Sequence, residues 1–365
     1  MPPSHLPLLL YLLIWGAGCS AVFQRPVEEV FDLIVNAGNS NVVAVRFRPE
    51  TGTFSTGASA SAGGNLFYAI ESSSRNNLIL VAGNLADQLA AIYYNSVSGG
   101  LETTQTLTTL NSPRSIAIHP DGGFAYAGYV SVAGMSIYSI ATQSNPPVVA
   151  NVAHFAHGGI TYYDLKFTPD GRYLLGSFPN TKQIYVYEAN STTGYVTYVG
   201  QGPVLPVAEF LAVAPNGRTI YSVGYYVDDS VSALRLDPST GALSLIATYN
   251  TGQGTIGGRV KVSADGNWLF VGNQGPTITL FRIDSDGALT MQGTHSVGED
   301  CSVLNVLLDP RGNWVFAVCG ATNEGTLRAL RFDSSKGSLS LVSKSDYIFT
   351  QRGAALLRQL NPKLQ

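Results

Sequence analysis

The chain has 365 residues, only 12% of them charged, and its formal net charge of −3 leaves no basic stripe of the kind that nucleic-acid binding needs. With 39 Gly, 18 Pro and 45% hydrophobic residues it is too apolar to stay disordered, and its many Tyr, Val, Ile and Thr favour short strands joined by tight turns.

The first element is a segment apart. Leu6 to Trp15 (LPLLLYLLIW) is an apolar run of 10 residues followed by Gly16, Ala17, Gly18 and Cys19. It is too short to cross a ~30 Å hydrocarbon core but fits the apolar region of a secretory signal. Cleavage before Cys19 would make residues 1–18 a lipoprotein signal and attach the protein to a membrane through lipidated Cys19. Cleavage after Ala21 would make residues 1–21 a signal peptide and release the chain. Either predicts export, to a periplasm, a cell surface or the medium.

A repeat organises the rest of the chain. One turn recurs as Pro120-Asp121-Gly122, Pro169-Asp170-Gly171, Pro215-Asn216-Gly217, Ala264-Asp265-Gly266 and Pro310-Arg311-Gly312, at spacings of 49, 46, 49 and 46 residues. Each lies between a short apolar strand and an aromatic-rich one, as in DLKFTPDGRYLLGSF, and Asp-Gly or Asn-Gly there signals a hairpin because Gly accepts a positive φ. A third and a fourth strand come next, joined by turns such as RIDSDGALTMQG. Four-stranded meanders at this period are propeller blades. Three-stranded second parts begin near Leu33, Leu78, Phe124, Tyr173, Ile220, Trp268 and Trp314; first strands end near Arg75, Asp121, Asp170, Asn216, Asp265, Arg311 and, in YIFTQRGAALLRQL, Arg352-Gly353. The chain therefore opens with a blade lacking its first strand and closes with that strand. This predicts an all-β fold, a seven-bladed β-propeller of four-stranded antiparallel blades closed by pairing N-terminal and C-terminal strands, with a linker at 22–30, the propeller at 31–357 and a tail at 358–365.

The stretches GGRVKVSADGNWLFVGNQGPTITLFRIDSDGALTMQG and NVLLDPRGNWVFAVCGATNEGTLRALRFDSSKGSLSLV resemble the seven-bladed lactonase family, which includes propeller-type 6-phosphogluconolactonase and carboxymuconate cyclase. The resemblance covers nearly the whole chain after the leader. It implies His, Arg and Glu side chains at the starts of the innermost strands, around one mouth of a central channel. Here the family's Pro-Arg-His becomes Pro113-Arg114-Ser115, the unit ending at Asn216 carries Glu209 and Phe210, and Gly258-Arg259 stands where an acidic residue is common.

Strand alternation sorts the innermost positions into two sets. Large apolar residues such as Ile116, Leu165, Leu211, Val260 and Val306 are expected to pack between blades, and the alternate set, with Asp164, Lys166, Arg259, Lys261 and Asn305, to face the channel. Such a mouth would hold a small anionic or oxygen-rich ligand through Asn305, Lys166 and Lys261. If it is catalytic, Asp164 or Glu209 would activate water while Arg114 or Arg259 stabilises the oxyanion of a lactone carbonyl. Three roles stay open at this point: binding of a small ligand, binding of a protein partner, and lactone or ester hydrolysis. The chain is expected to act as a monomer.

Cys301 and Cys319 flank the hairpin SVLNVLLDPRGNWVFAV, at positions that would face each other across it, within disulfide reach. No cofactor or metal site is expected. Gly252-Gln253-Gly254-Thr255-Ile256-Gly257 matches GxGxxG but precedes a strand, not a helix. His154 and His157 supply two ligands where a metal site needs three or four, Tyr225 to Asp229 reads as a solvated turn, and Asn190-Ser191-Thr192 is a glycosylation sequon.

Overall fold

The computed structural model describes residues 30–37, 40–63, 67–73, 75–83, 87–224, 228–254, 256–321, 324–346 and 355–360, so Cys19 and Arg352-Gly353 lie outside the described residues. These residues form 28 strands and no helix, arranged as seven four-stranded antiparallel sheets. With strands numbered in chain order, blades 2 to 7 have as innermost strands β4 (Phe67–Ser73), β8 (Pro113–Ile118), β12 (Asp164–Phe167), β16 (Phe210–Val213), β20 (Ile256–Val262) and β24 (Ser302–Leu308). Blade 1 takes its innermost strand, β28 (Ala355–Leu360), from the C-terminus, paired antiparallel with β1 (Val30–Asn36) from Val30 opposite Leu360 to Val35 opposite Ala355. Each innermost strand contacts the next around the ring, and β24 and β4 both contact β28, so the ring closes.

The recurring turn explains the regularity. Gly122, Gly171, Gly217, Gly266 and Gly312 have φ of 81°, 75°, 67°, 75° and 72°, a region that costs a residue with a Cβ ~1–2 kcal/mol. In four of these turns the Asp or Asn side chain caps the chain: Asp121, Asp170, Asn216 and Asp265 accept from the amides of Gly123, Arg172, Arg218 and Asn267. Blade 7 has Arg311 at that position, and Asp309, two residues earlier, accepts from the Arg311 and Asn313 amides instead. The C-terminal strand lies after Arg352-Gly353 and not before it, because AALLRQL supplies the apolar run and Arg-Gly lacks the capping side chain. The strand also runs to Leu360, beyond the expected boundary at 357.

Seven apolar clusters, one at each blade interface, form the core. They correct the expected division of the innermost strands. Ile116 packs towards blade 2 and Ala117 towards blade 4; Leu211 packs towards blade 4 and Ala212 towards blade 6. Both faces of an innermost strand are thus blade interfaces, and only side chains long enough to leave the interface reach the channel. At the rim, every pairing of a third with a fourth strand contains a register shift. Such bulges twist the outer strand and blunt an edge that would otherwise recruit another strand.

Cys301 and Cys319 are joined by a disulfide with Cα atoms 4.8 Å apart. A bulge between Val303 and Asn305 shifts the hairpin, so that Cys319 lies opposite Val303 and the bridge is diagonal, not directly across the strands as expected.

Successive turns interlock. A Cβ on Gly171 would lie 2.5 Å from His119 Nε2 of the preceding blade, whereas one on Gly312 would meet nothing within 4 Å. Gly171→Ala therefore adds overpacking to backbone strain, for a loss of ~2–4 kcal/mol, against ~1–2 kcal/mol for Gly312→Ala. Denaturant unfolding of the two variants should show this order; equal losses would mean that the turns do not interlock.

Candidate functional site

The innermost strands of blades 4 and 6 place their polar residues at matching positions: Asp164 and Lys166 on β12, Arg259 and Lys261 on β20. The long side chains leave the interfaces and cross the ring. Arg259 Nη1 lies 3.7 Å from Asp164 Oδ1, and Lys166 Nζ lies 3.3 Å from the same oxygen and 3.8 Å from Glu71 Oε2 on blade 2. The Arg259–Asp164 and Lys166–Glu71 contacts each skip a blade, so these ion pairs span the central space and link blades 2, 4 and 6.

Asp164 is the anchor of this network. Its side chain is only 2% exposed, and its oxygens also accept from the Leu165 amide at 3.1 Å and from the Leu211 amide of blade 5 at 3.0 Å. A buried carboxylate needs such partners to stay ionised. Lys166 and Arg259 are more accessible, at 21% and 17%. Arg259 also stacks over Phe210 at 4.7 Å, which fixes its guanidinium against one wall. Lys261 is held down to about 8 by burial first and then by the neighbouring Lys166 and Arg259 cations, which outweigh the pull of Glu71 and Asp164. The five groups carry three positive and two negative charges when Lys261 is protonated.

The other expected site residues are placed differently. Arg114 lies over the ring of Tyr163, 3.9 Å from its centroid and next in sequence to Asp164. Glu209 is buried just ahead of β16, with its backbone carbonyl accepting from Ser177 Oγ. Asn305 is buried and its side-chain oxygen accepts from the Val306 amide of its own strand at 2.9 Å. Glu71 was not among the expected residues, although it precedes the second strand of its blade, at Leu78, by the same interval that separates Lys166 from Tyr173 and Lys261 from Trp268.

The loop motifs have local roles. His154 Nε2 pairs with the Ala133 carbonyl and His157 Nδ1 with the Tyr187 hydroxyl at 2.7 Å; among the described residues no three His, Cys, Asp or Glu side chains are gathered to hold a metal ion. Asp228 accepts from Ser230 and Asp229 from the Gly252 amide, so both carboxylates brace turns.

Comparison with known proteins agrees with this architecture. The family model described as lactonase, 7-bladed beta-propeller matches residues 73–213, 172–257 and 210–351. A 6-phosphogluconolactonase of Formosa agariphila is 26% identical over 121 residues, 31% of this chain and 34% of that protein. One of Pectobacterium carotovorum is 22% identical over 148 residues, 40% of this chain and 44% of that protein, so the matches span less than half of each relative. Among solved structures, a putative 6-phosphogluconolactonase of Bacteroides fragilis superposes with a TM-score of 0.77 at 19% identity, over 92% of this chain and 99% of that one. The periplasmic gluconolactonase of Pseudomonas aeruginosa superposes with a TM-score of 0.74 at 18% identity, over 91% and 99%. At these identities the structural likeness is one of fold.

Anchor and accessible cation should separate on mutation. Asp164→Ala leaves two backbone amides and two cations without their acceptor and should cost ~3–5 kcal/mol, whereas Arg259→Ala, on a partly accessible group, should cost ~1 kcal/mol or less. Thermal unfolding of both variants checks this; an Asp164→Ala protein as stable as wild type would remove the anchoring role.

Proposed function

Because the chain belongs to the seven-bladed lactonase family, we propose that it is an exported propeller that binds a small anionic or oxygen-rich ligand of the lactone or hydroxy-acid class in the central channel. The observation that carries this is the asymmetry of the network: the carboxylate of Asp164 is committed to amides and cations, while Arg259 and Lys166 keep accessible surface. Cationic donors on low-dielectric walls favour a ligand rich in oxygen and negative charge. The names of the relatives, 6-phosphogluconolactonase and periplasmic gluconolactonase, support the lactone class and an extracytoplasmic location for this chain too. The Cys301–Cys319 bridge supports export as well, since disulfides persist in oxidising compartments.

Lactone hydrolysis is a second reading, favoured by one observation. The Asp164 oxygens are already engaged by amides and cations, but Lys261 at about 8 is neutral in part under mildly alkaline conditions. It could take a proton from an attacking water while Arg259 faces the oxyanion. The ring C–O bond would then break and Lys261 would return the proton to the leaving alkoxide.

The pH dependence separates the readings. Lys261 is charged below about 8 and neutral above it, so the affinity for gluconate, measured by calorimetry, should be higher at pH 7 than at pH 9.5. Arg259→Ala should lower that affinity by about tenfold or more, a loss of ~1.4 kcal/mol, and Lys261→Met should flatten the pH dependence. Affinity unchanged in Arg259→Ala would overturn the channel as the site. Turnover of γ- and δ-lactones in a pH-stat, rising through pH 8 and lost in Lys261→Met, would establish the second reading in place of the first.

Lipid attachment has its own test. In cells fed labelled palmitate, label in the wild type and none in Cys19→Ala is the outcome expected of the lipidated form; a mature N-terminus at Val22 would show release instead.

A further inference from the structure

Away from the channel the repeat is broken at one place. In four blades the first residue of the second strand packs on a hairpin turn of the following blade: Phe124 against Gly194, Tyr173 against Gly241, Thr219 against Gly287 and Trp268 against Gly337. In three blades a guanidinium covers that aromatic ring, Arg172 over Tyr173 at 5.0 Å, Arg282 over Trp268 at 5.3 Å and Arg331 over Trp314 at 5.1 Å. Blade 5 has Thr219 where these rings stand, and opposite it Arg235, the counterpart of Arg282 and Arg331.

A second substitution keeps the vacated slot open. In blade 4, Arg172 pairs with Glu188 at 3.1 Å and donates to the Pro238 carbonyl at 2.8 Å, bridging to the turn of blade 5. Blade 5 places Arg218 at the position of Arg172, but Arg235 at that of Glu188, so two like charges meet where blade 4 has an ion pair. Arg235 turns to the Asp286 carbonyl at 2.7 Å. Between blades 5 and 6 a groove of about 530 Å³ remains, lined by Arg218, Thr219, Arg235, Ser244, Ser285 and Asp286 among others. The acids beside it serve their own turns: Asp237 accepts from Ser239, and Asp286 from the Ala288 amide.

We propose that this groove is a binding site for a small planar ring carrying a carboxylate, the ring seated beside Arg235 in the aromatic slot and the carboxylate held by Arg218. A guanidinium stacks on a ring and grips a carboxylate through two parallel donors, so the pair of arginines matches both parts of such a ligand. The volume suits a ligand of that size.

The test uses the purified protein with indole-3-acetate as probe, followed by ligand-observed NMR, and with indole as the control lacking the carboxylate. Saturable binding of indole-3-acetate, stronger than that of indole, is expected in the wild type and in Arg259→Ala. Thr219→Trp fills the slot as Trp268 and Trp314 do and should weaken binding about tenfold or more. Arg235→Glu rebuilds the ion pair of blade 4 at the surface and should do the same, which keeps the test intact if Thr219→Trp fails to fold. Arg218→Gln should abolish the preference over indole. No saturable binding in the wild type, equal binding of indole, or undiminished binding in Thr219→Trp or Arg235→Glu would each overturn the proposal.

Discussion

Each blade is a sheet with apolar residues on both faces, and such a sheet is stable only between two others. Blade 4 illustrates the constraint: Leu174 is buried against blade 3 and Leu175 against blade 5, with both side chains fully removed from solvent. Burying a leucine is worth ~1.5–3 kcal/mol, and at a missing neighbour that stabilisation would be lost along a whole face. A linear stack would expose two such faces. Closing the ring removes both, and the pairing of β28 with β1 does this by making one blade from the two ends of the chain. Phe31 and Leu33 on β1 then pack with Phe316 and Val318 of blade 7, so the last interface is as apolar as the others.

The same closure creates the problem that the channel solves. Seven innermost strands converge on one axis, and any polar side chain among them is desolvated by its neighbours. Asp164 answers with two amides and two cations, drawn from its own blade and from blades 5 and 6. A second buried acid, Asp32, is met by both arms of Arg46 at 2.8 Å and by the Tyr94 hydroxyl of blade 2. The two differ in what remains. The Asp32 cluster is complete in itself, with a bidentate guanidinium matched to its carboxylate. The five channel groups hold three cations to two anions when Lys261 is protonated, and burial first, then the Lys166 cation, disfavours that third charge.

The blades are legible because their turns obey a local rule that leaves a mark in the sequence. Gly at positive φ after a capping Asp or Asn is visible as Asp-Gly or Asn-Gly, and six of the seven expected second-strand starts fall on an observed strand start or within one residue of it, from Leu78 to Trp314. Where the rule lapses, so does the legibility. Blade 2 has no such dipeptide, its turn taking positive φ at Asn77, so Glu71 is placed only by counting back from Leu78, the head of its second strand. The orientation of the site residues is less accessible still. Alternation distinguishes two faces of a strand, but in a propeller both faces belong to neighbouring blades. Whether Asp164 is buried and Lys166 reaches the axis depends on side-chain length, and on β4, β20 and β24 bulges add a further shift of register. A bulge is a property of a pair of strands and carries no signature in either strand alone.

In a repeat protein the informative positions are those that break the repeat. An aromatic residue at the head of the second strand, covered by an arginine, is scaffold in blades 4, 6 and 7, because the same ring-and-guanidinium pair recurs there. Thr219 supports the turn of the next blade with a fraction of the volume, and Arg235 is left without a ring to cover. The polar positions of the channel follow the same logic. At the offset of Glu71, Lys166 and Lys261, blades 3, 5 and 7 carry Ala117, Ala212 and Leu307, which lie buried at blade interfaces. From blade 2 to blade 7 charge therefore alternates with apolar packing, so the long side chains of blades 2, 4 and 6 meet over the short ones between them. Three small or apolar residues leave the space, and the other three fill it with charge.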